Sequence, residues 1–307
     1  MPSMRARLLN AILRVLTARK IDPAMPPRVV RVRLDRLVER FTRGQIRGAR
    51  IEAAEAAGLP AEWIIPDTEN NGGVLLYLHG GGYLFGSPRT HRSLVASLAR
   101  KAHARALVID YRLAPEHPFP AAPLDCYAVL EWVAANGAQL GIDGQRIAVG
   151  GDSAGGNLSA VVSQMARDRK GPRIALQLLV YPATRMGADT ASYRDCGDGY
   201  FLTATAMKWF FDQYLRKPAD WDDPLASPLL AKDLSNLPPA LVMTAGFDPL
   251  RDEGAEYADR LTAAGVPVEY ICYRNQIHGF VSMAGAIDEG REFLDRASGA
   301  LRRAWQS

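Results

Sequence analysis

Serine, histidine and aspartate can act together to make an alcohol nucleophilic, and this sequence of 307 residues holds one arrangement of them suited to that task. Ser153 lies in Gly151-Asp152-Ser153-Ala154-Gly155, after a short apolar run and before a helix-like stretch. A Gly-x-Ser-x-Gly pattern between strand and helix makes a turn so tight that the serine's neighbours must be small, and it lifts the hydroxyl above the sheet edge. His79-Gly80-Gly81-Gly82 follows another apolar run. Consecutive glycines let backbone N–H groups face a ligand where side chains would otherwise intrude. Acyl transfer needs such donors aimed at the oxygen that becomes anionic. The N–H groups of Gly81, Gly82 and Ala154 are the candidates for that oxyanion hole.

A serine needs a base, and the sequence has five histidines: His79, His91, His103, His117 and His278. Where such an elbow is used, the order along the chain is serine, acid, histidine, and only His278 follows Ser153. The acid must leave the same edge of the sheet. Asp248, just past the apolar run 240–244, meets that condition. Asp252 falls instead in a first helical turn beside Glu253, where a carboxylate complements the helix dipole, so Asp248 is preferred.

These residues need a scaffold that brings them to one rim. Past residue 72, short apolar runs at 74–78, 106–110, 146–149, 174–181, 240–244 and 268–273 alternate with helical stretches at 90–102, 126–136, 154–168, 252–264 and 288–304. Several runs are nearly continuous in Val, Leu and Ile, as strands buried on both faces are. The alternation predicts an open α/β sheet with helices on both sides. An earlier pair, 49–56 and 62–67, reads as an antiparallel edge. Two regions break the pattern: the basic N-terminus, and an aromatic stretch at 183–225. Both read as helical pieces folded over one edge of the sheet.

Composition narrows the class. Hydrophobic residues make up 48% and charged residues 23%, ordinary globular usage. No apolar run reaches the roughly 20 residues that cross a bilayer. The three cysteines, Cys126, Cys196 and Cys272, are scattered, which fits reduced thiols in a cytoplasmic protein. The first fifty residues hold 13 Lys and Arg against 3 Asp and Glu, so of the net +4, +10 sits there and −6 elsewhere. No nucleic-acid motif accompanies that charge. It is expected to be the solvated face of a helix whose Leu8, Leu9, Ile12, Leu13 and Leu16 pack inward. With no H-E-x-x-H, no Cys/His cluster, no Walker A and no G-x-G-x-x-G, neither a metal nor an organic cofactor is expected.

Taken with their order, five motifs resemble those of the hormone-sensitive-lipase family of α/β-hydrolases, its bacterial carboxylesterases in particular. They are His79-Gly80-Gly81-Gly82, Tyr111-Arg112-Leu113-Ala114-Pro115-Glu116 with Phe119-Pro120-Ala121-Ala122, Gly151-Asp152-Ser153-Ala154-Gly155-Gly156, Asp248-Pro249-Leu250-Arg251-Asp252-Glu253 and His278-Gly279-Phe280, spread over about 70–282. The resemblance implies an α/β-hydrolase fold: a mostly parallel eight-stranded sheet, helices on both faces and a helical cap. The chain then divides into 1–45 as the N-terminal part of the cap, 46–182 as the first part of the core, 183–225 as the cap insertion and 226–307 as the rest of the core. It also implies hydrolysis of short- to medium-chain esters by Ser153, His278 and Asp248. His79 resembles a loop organiser, and 111–116 a brace beneath the oxyanion loop. Tyr83, Phe201, Trp209 and Phe211 are candidate walls of an acyl pocket. Gln276 stands where glycine is expected near the histidine loop. The family fits a homodimer built through a sheet edge.

Two other functions fit the same scaffold. One is a non-catalytic small-molecule receptor similar to the plant gibberellin receptor, which has lost its catalytic histidine; Ser153, Asp248 and His278 are all present here. The other is a hydrolase of different substrates, such as a triglyceride lipase, an amidase or an acetyl-hydrolase. Soluble esters are preferred because the chain has no obvious apolar anchor.

Overall fold

Along Val74–Leu78 all five residues are apolar, and their side chains divide between two buried clusters: Val74, Leu76 and Leu78 join one, Leu75 and Tyr77 the other. A strand so filled must be covered on both faces. The computed structural model describes residues 2–18, 25–42, 46, 48–68, 70–284 and 287–306. In chain order the first half holds α1 (Met4–Ala18), α2 (Pro27–Thr42), β1 (Ala49–Ala56), β2 (Leu59–Pro66), β3 (Val74–Leu78), α3 (Pro88–Ala102), β4 (Arg105–Ile109), α4 (Ala121–Ala135), α5 (Gly137–Leu140), β5 (Ile147–Asp152) and α6 (Ala154–Asp168). The second half holds β6 (Leu176–Val180), α7 (Ala191–Cys196), α8 (Ala204–Tyr214), α9 (Pro218–Trp221), β7 (Ala240–Phe247), α10 (Arg251–Ala263), β8 (Val268–Ile277) and α11 (Asp288–Ala304).

The strands form one eight-stranded sheet in the order β1-β2-β4-β3-β5-β6-β7-β8. Strand β2 runs antiparallel to both β1 and β4; the pairs from β4 through β8 are all parallel. Leu94, Val95 and Leu98 of α3 and Phe293, Leu294 and Leu301 of α11 cover one face. Helices α4 and α6 cover the other, joined toward β7 by Tyr257 and Leu261 of α10. Order reverses at β3, whose neighbours are β4 on one side and β5 on the other, and ligands of open α/β sheets bind beyond the carboxyl ends of the strands at such a point.

The expected elements are present, with three shifts that have physical causes. Strand β2 starts at Leu59, not 62, because Ala57 and Gly58 both take positive φ (52° and 79°) and close a two-residue hairpin. Strands β7 and β8 run on to Phe247 and Ile277, past 244 and 273. Gly246 and the polar Arg274-Asn275-Gln276 hide these continuations in an apolar reading.

The third difference is in α1. Leu8 is 63% exposed and Ile12 43%, so these members of the expected inward stripe face out; the Leu9 and Leu16 side chains lie outside the described residues. Ala6 is fully buried and Leu13 half-buried, and polar contacts add to the seating of the helix. Arg5 pairs with Asp288, and Asn10 Nδ2 and Arg14 Nη1 both donate to the Gly199 carbonyl of the 183–225 segment. Helix α2 is fixed by Arg31, which donates to Leu84 O, Ala114 O and the Glu116 carboxylate. All three cysteines are free thiols. Among the described residues no helix is long and apolar enough to cross a membrane.

Candidate active site

The end of β5 and the start of α6 leave a single residue between them, Ser153, with φ 56° and ψ −119°. A non-glycine residue at this φ is strained, and the surrounding packing must hold it there. The flanking glycines follow from contact distances: a Cβ at Gly151 would lie 2.2 Å from the Leu78 carbonyl oxygen, and one at Gly155 1.9 Å from the same atom. No side chain fits at either place.

His278 is the first residue beyond β8, and Asp248 the first beyond β7. The adjacent strands deliver both side chains to Ser153. Ser153 Oγ lies 3.0 Å from His278 Nε2, and His278 Nδ1 lies 2.7 Å from Asp248 Oδ2. An ionised carboxylate only accepts, so Nδ1 carries the hydrogen that Asp248 receives, which leaves Nε2 free to accept from the serine. Asp248 is fully buried, and its Oδ1 accepts the Leu250 N–H at 2.9 Å. The Tyr181 ring packs on the imidazole with centroids 4.4 Å apart. The rival Asp252 points elsewhere: it pairs with Arg251 and accepts the Ser192 N–H of α7.

The expected anion-binding amides lie in the turn after β3. The Gly81 carbonyl accepts the Leu84 and Phe85 N–H groups, each at 3.1 Å. A Cβ at Gly82, where φ is +60°, would lie 2.7 Å from the Phe210 ring. Among the described residues, the N–H groups of Gly81, Gly82 and Ala154 donate to no protein acceptor. His79 is buried, stacks on Tyr111 with centroids 4.2 Å apart, and places Nδ1 2.9 Å from the Gly80 carbonyl. Burial, then the nearby charge of His91, pull its pKa down to about 3, so this ring is neutral. Tyr111 Oη donates to the His79 carbonyl at 2.7 Å, while Arg112 grips Asp125 and Glu116 grips Arg31. The 111–116 segment therefore lies bonded beneath the loop, as expected of a brace.

A cleft lies over Ser153 and His278. Tyr83, Phe201 and Phe211 line it; Trp209 does not. On α8 the lining residues are Ala206, Met207, Phe210 and Phe211. Those positions share one helical face, and residue 209 falls on another. The Trp209 ring packs on Phe210 at 5.5 Å, so the wall residue is Phe210, one place along from the expected one. Asp35 and Val38 of α2 complete the cleft from the N-terminal side. Gln276 is fully buried on β8, and neither polar atom of its amide has a partner among the described residues.

Two features had no sequence signal. Glu253 is buried, and its Oε1 accepts the Thr184 and Arg185 N–H groups where the chain leaves β6 for the 183–225 segment. Burial pushes its carboxyl up to about 8 against the pull of those two bonds. The second is Asp152, the residue before the nucleophile candidate. Its Oδ1 accepts Tyr77 Oη at 2.8 Å and the Gly80 N–H at 3.2 Å, and His91 Nε2 lies 3.3 Å away. Among the described residues no group of three or more His, Cys, Asp or Glu side chains could hold a metal ion.

An eight-stranded, mostly parallel sheet with a serine on a strained strand–helix turn and an Asp–His pair from the loops after β7 and β8 defines an α/β-hydrolase. Residues 75–282 match the family model described as alpha/beta hydrolase fold. Over 234 residues the chain is 47% identical to the carboxylic ester hydrolase LipN of Mycobacterium tuberculosis, covering 74% of this chain and 62% of LipN. It is 41% identical over 233 residues to an ethyl acetate hydrolase of Pseudomonas putida, covering 76% of this chain and 73% of that one. The solved structure of a hyperthermophilic esterase from the archaeon Pyrobaculum calidifontis superposes with a TM-score of 0.90 at 40% identity, over 99% of both chains. The chain belongs to the hormone-sensitive-lipase-like carboxylesterases of the α/β-hydrolase family.

Proposed function

We propose that the chain hydrolyses short- to medium-chain carboxylic esters through an acyl-enzyme, with Ser153 as nucleophile, His278 as base and then acid, and Asp248 as the group that orients the imidazole. The observation that carries this reading is the unbroken run of contacts from Ser153 Oγ through His278 to Asp248, at 3.0 and 2.7 Å. As Oγ bonds to the ester carbonyl carbon, its proton passes to Nε2 and the carbonyl π electrons move onto oxygen. The N–H groups of Gly81, Gly82 and Ala154 receive that anion. Collapse of the tetrahedral intermediate breaks the C–O bond, and the leaving alkoxide takes the proton from His278. Water repeats the cycle on the acyl-enzyme, which releases the acid and frees Ser153.

Helices α1 and α2 and the 183–225 segment are proposed as two parts of one cap over the cleft. The aromatic wall of Tyr83, Phe201, Phe210 and Phe211 supports an acyl group that is apolar and of limited length. The name of the P. putida relative, an ethyl acetate hydrolase, points the same way. A cytoplasmic setting fits the three free thiols. A series of p-nitrophenyl esters from acetate to palmitate tests the substrate class. Maximal kcat/KM at or below about eight carbons is expected; a rise through the long chains, enhanced by an emulsion interface, would overturn it.

A further inference from the structure

His91 stands outside the serine–histidine–aspartate arrangement, yet it lines the same cleft from the first turn of α3. Its two ring nitrogens face acceptors. Nε2 lies 3.3 Å from Asp152 Oδ1. Nδ1 lies 2.8 Å from Thr90 Oγ1 and 3.4 Å from the Ser87 carbonyl. The Thr90 hydroxyl also lies 2.8 Å from Ser87 O, and while it gives its one hydrogen there it can only accept from His91. A neutral imidazole has a single N–H and satisfies one side; the imidazolium satisfies both.

The Asp152 carboxylate that His91 faces is bonded to the parts that must be aligned. It belongs to the residue preceding Ser153, and it accepts the N–H of Gly80, the residue preceding the candidate oxyanion amides. Tyr77 Oη holds the same oxygen from β3. We propose that His91 is a positioning residue that remains an imidazolium and neutralises Asp152, so that this carboxylate can clamp the oxyanion loop to the nucleophile turn.

The groups facing His91 are Asp152 from β5, Tyr77 and His79 from β3 and the turn after it, at ring-centroid distances of 6.0 and 5.6 Å, and Asp35 from α2. Burial lowers the His91 pKa, but the charge and hydrogen bond of Asp152, with Ser87 and Asp35, outweigh it and raise the net value. His79, held at about 3, does not compete for the proton. Deprotonating His91 leaves a buried carboxylate without a countercharge, a costly state. Turnover therefore falls on an alkaline limb that belongs to His91.

The inference rests on the esterase reading for its kinetics but not for its direct measurement. In imidazole ¹H–¹⁵N spectra at pH 7.5, assigned by the signals missing from His91→Gln, both His91 nitrogens are expected to carry hydrogen; a neutral ring overturns the proposal whatever the enzyme hydrolyses. In kinetics, His91→Leu is expected to lower kcat on the order of 10- to 100-fold with KM changed by less than about threefold, as for loss of transition-state alignment. His91→Gln keeps a donor toward Asp152 without the charge, so it is expected to mimic the deprotonated ring, with kcat at the low alkaline level of the wild type at every pH and no alkaline limb of its own. Wild-type kcat in His91→Leu, or an unchanged alkaline limb in His91→Gln, overturns the proposal. Near-normal turnover by Ser153→Ala would instead remove the esterase mechanism and leave the spectra unaffected.

Discussion

Replacing Asp248 by asparagine changes one atom and should nearly abolish turnover. The Leu250 N–H donates to Asp248 Oδ1 at 2.9 Å, so an asparagine keeps its carbonyl oxygen there and turns its NH₂ toward His278 Nδ1. That nitrogen must then accept, which moves the imidazole hydrogen to Nε2. The nitrogen 3.0 Å from Ser153 Oγ becomes a donor and can no longer take the serine proton. The imidazolium that forms in the reaction also loses its countercharge. Trapping the wrong tautomer in this way costs about 10⁴-fold in kcat, or about 5 kcal/mol of barrier. The assay is kcat for p-nitrophenyl butyrate with a circular-dichroism spectrum as the folding control. A folded Asp248→Asn enzyme within tenfold of the wild type would refute the assignment of Asp248 and the tautomer reasoning together.

Other perturbations test other parts of the site. Gly82→Ala places a Cβ 2.7 Å from the Phe210 ring at a φ of +60°, so it should displace the loop and lower kcat on the order of 10²-fold, comparable to losing one oxyanion donor; steady-state kinetics with KM little changed would support this. Glu253 keeps its proton up to about 8 in the folded protein but only to the ordinary carboxyl range when unfolded. Between those values the unfolded chain releases a proton that the folded one holds, so this group makes stability decline as pH rises. Glu253→Gln retains the acceptor for Thr184 and Arg185 and removes the charge, so its advantage over the wild type should grow from pH 5 to pH 8.5, to a few kcal/mol in urea unfolding. A constant difference across that range would contradict the buried-carboxyl account.

Much of the geometry of the candidate site was legible because its constraints are local. The glycines around Ser153 and in the loop at 80–82 are needed where backbone meets backbone, and such needs leave a fixed spacing in the sequence. Chain order singled out His278, and the end of an apolar run pointed to Asp248. What stayed hidden depends on packing between distant segments. His91 acquires its role only because the start of α3 abuts the end of β5, and a lone histidine carries no mark of that. Trp209 and Phe210 differ by one helical step, which an aromatic-rich stretch does not resolve. In α1 the leucine pattern suggested a buried face that included Leu8 and Ile12, whereas both are exposed and the helix also bonds to Gly199 and Asp288.

The central claim, an activated alcohol at residue 153, is tested most directly by covalent labelling with a fluorophosphonate ester, read by peptide mass spectrometry alongside residual esterase activity. One phosphonyl group on Ser153, appearing in step with the loss of turnover, and neither label nor activity in folded Ser153→Ala, is the predicted result. Label on another residue, or esterase turnover that survives in Ser153→Ala, would contradict it.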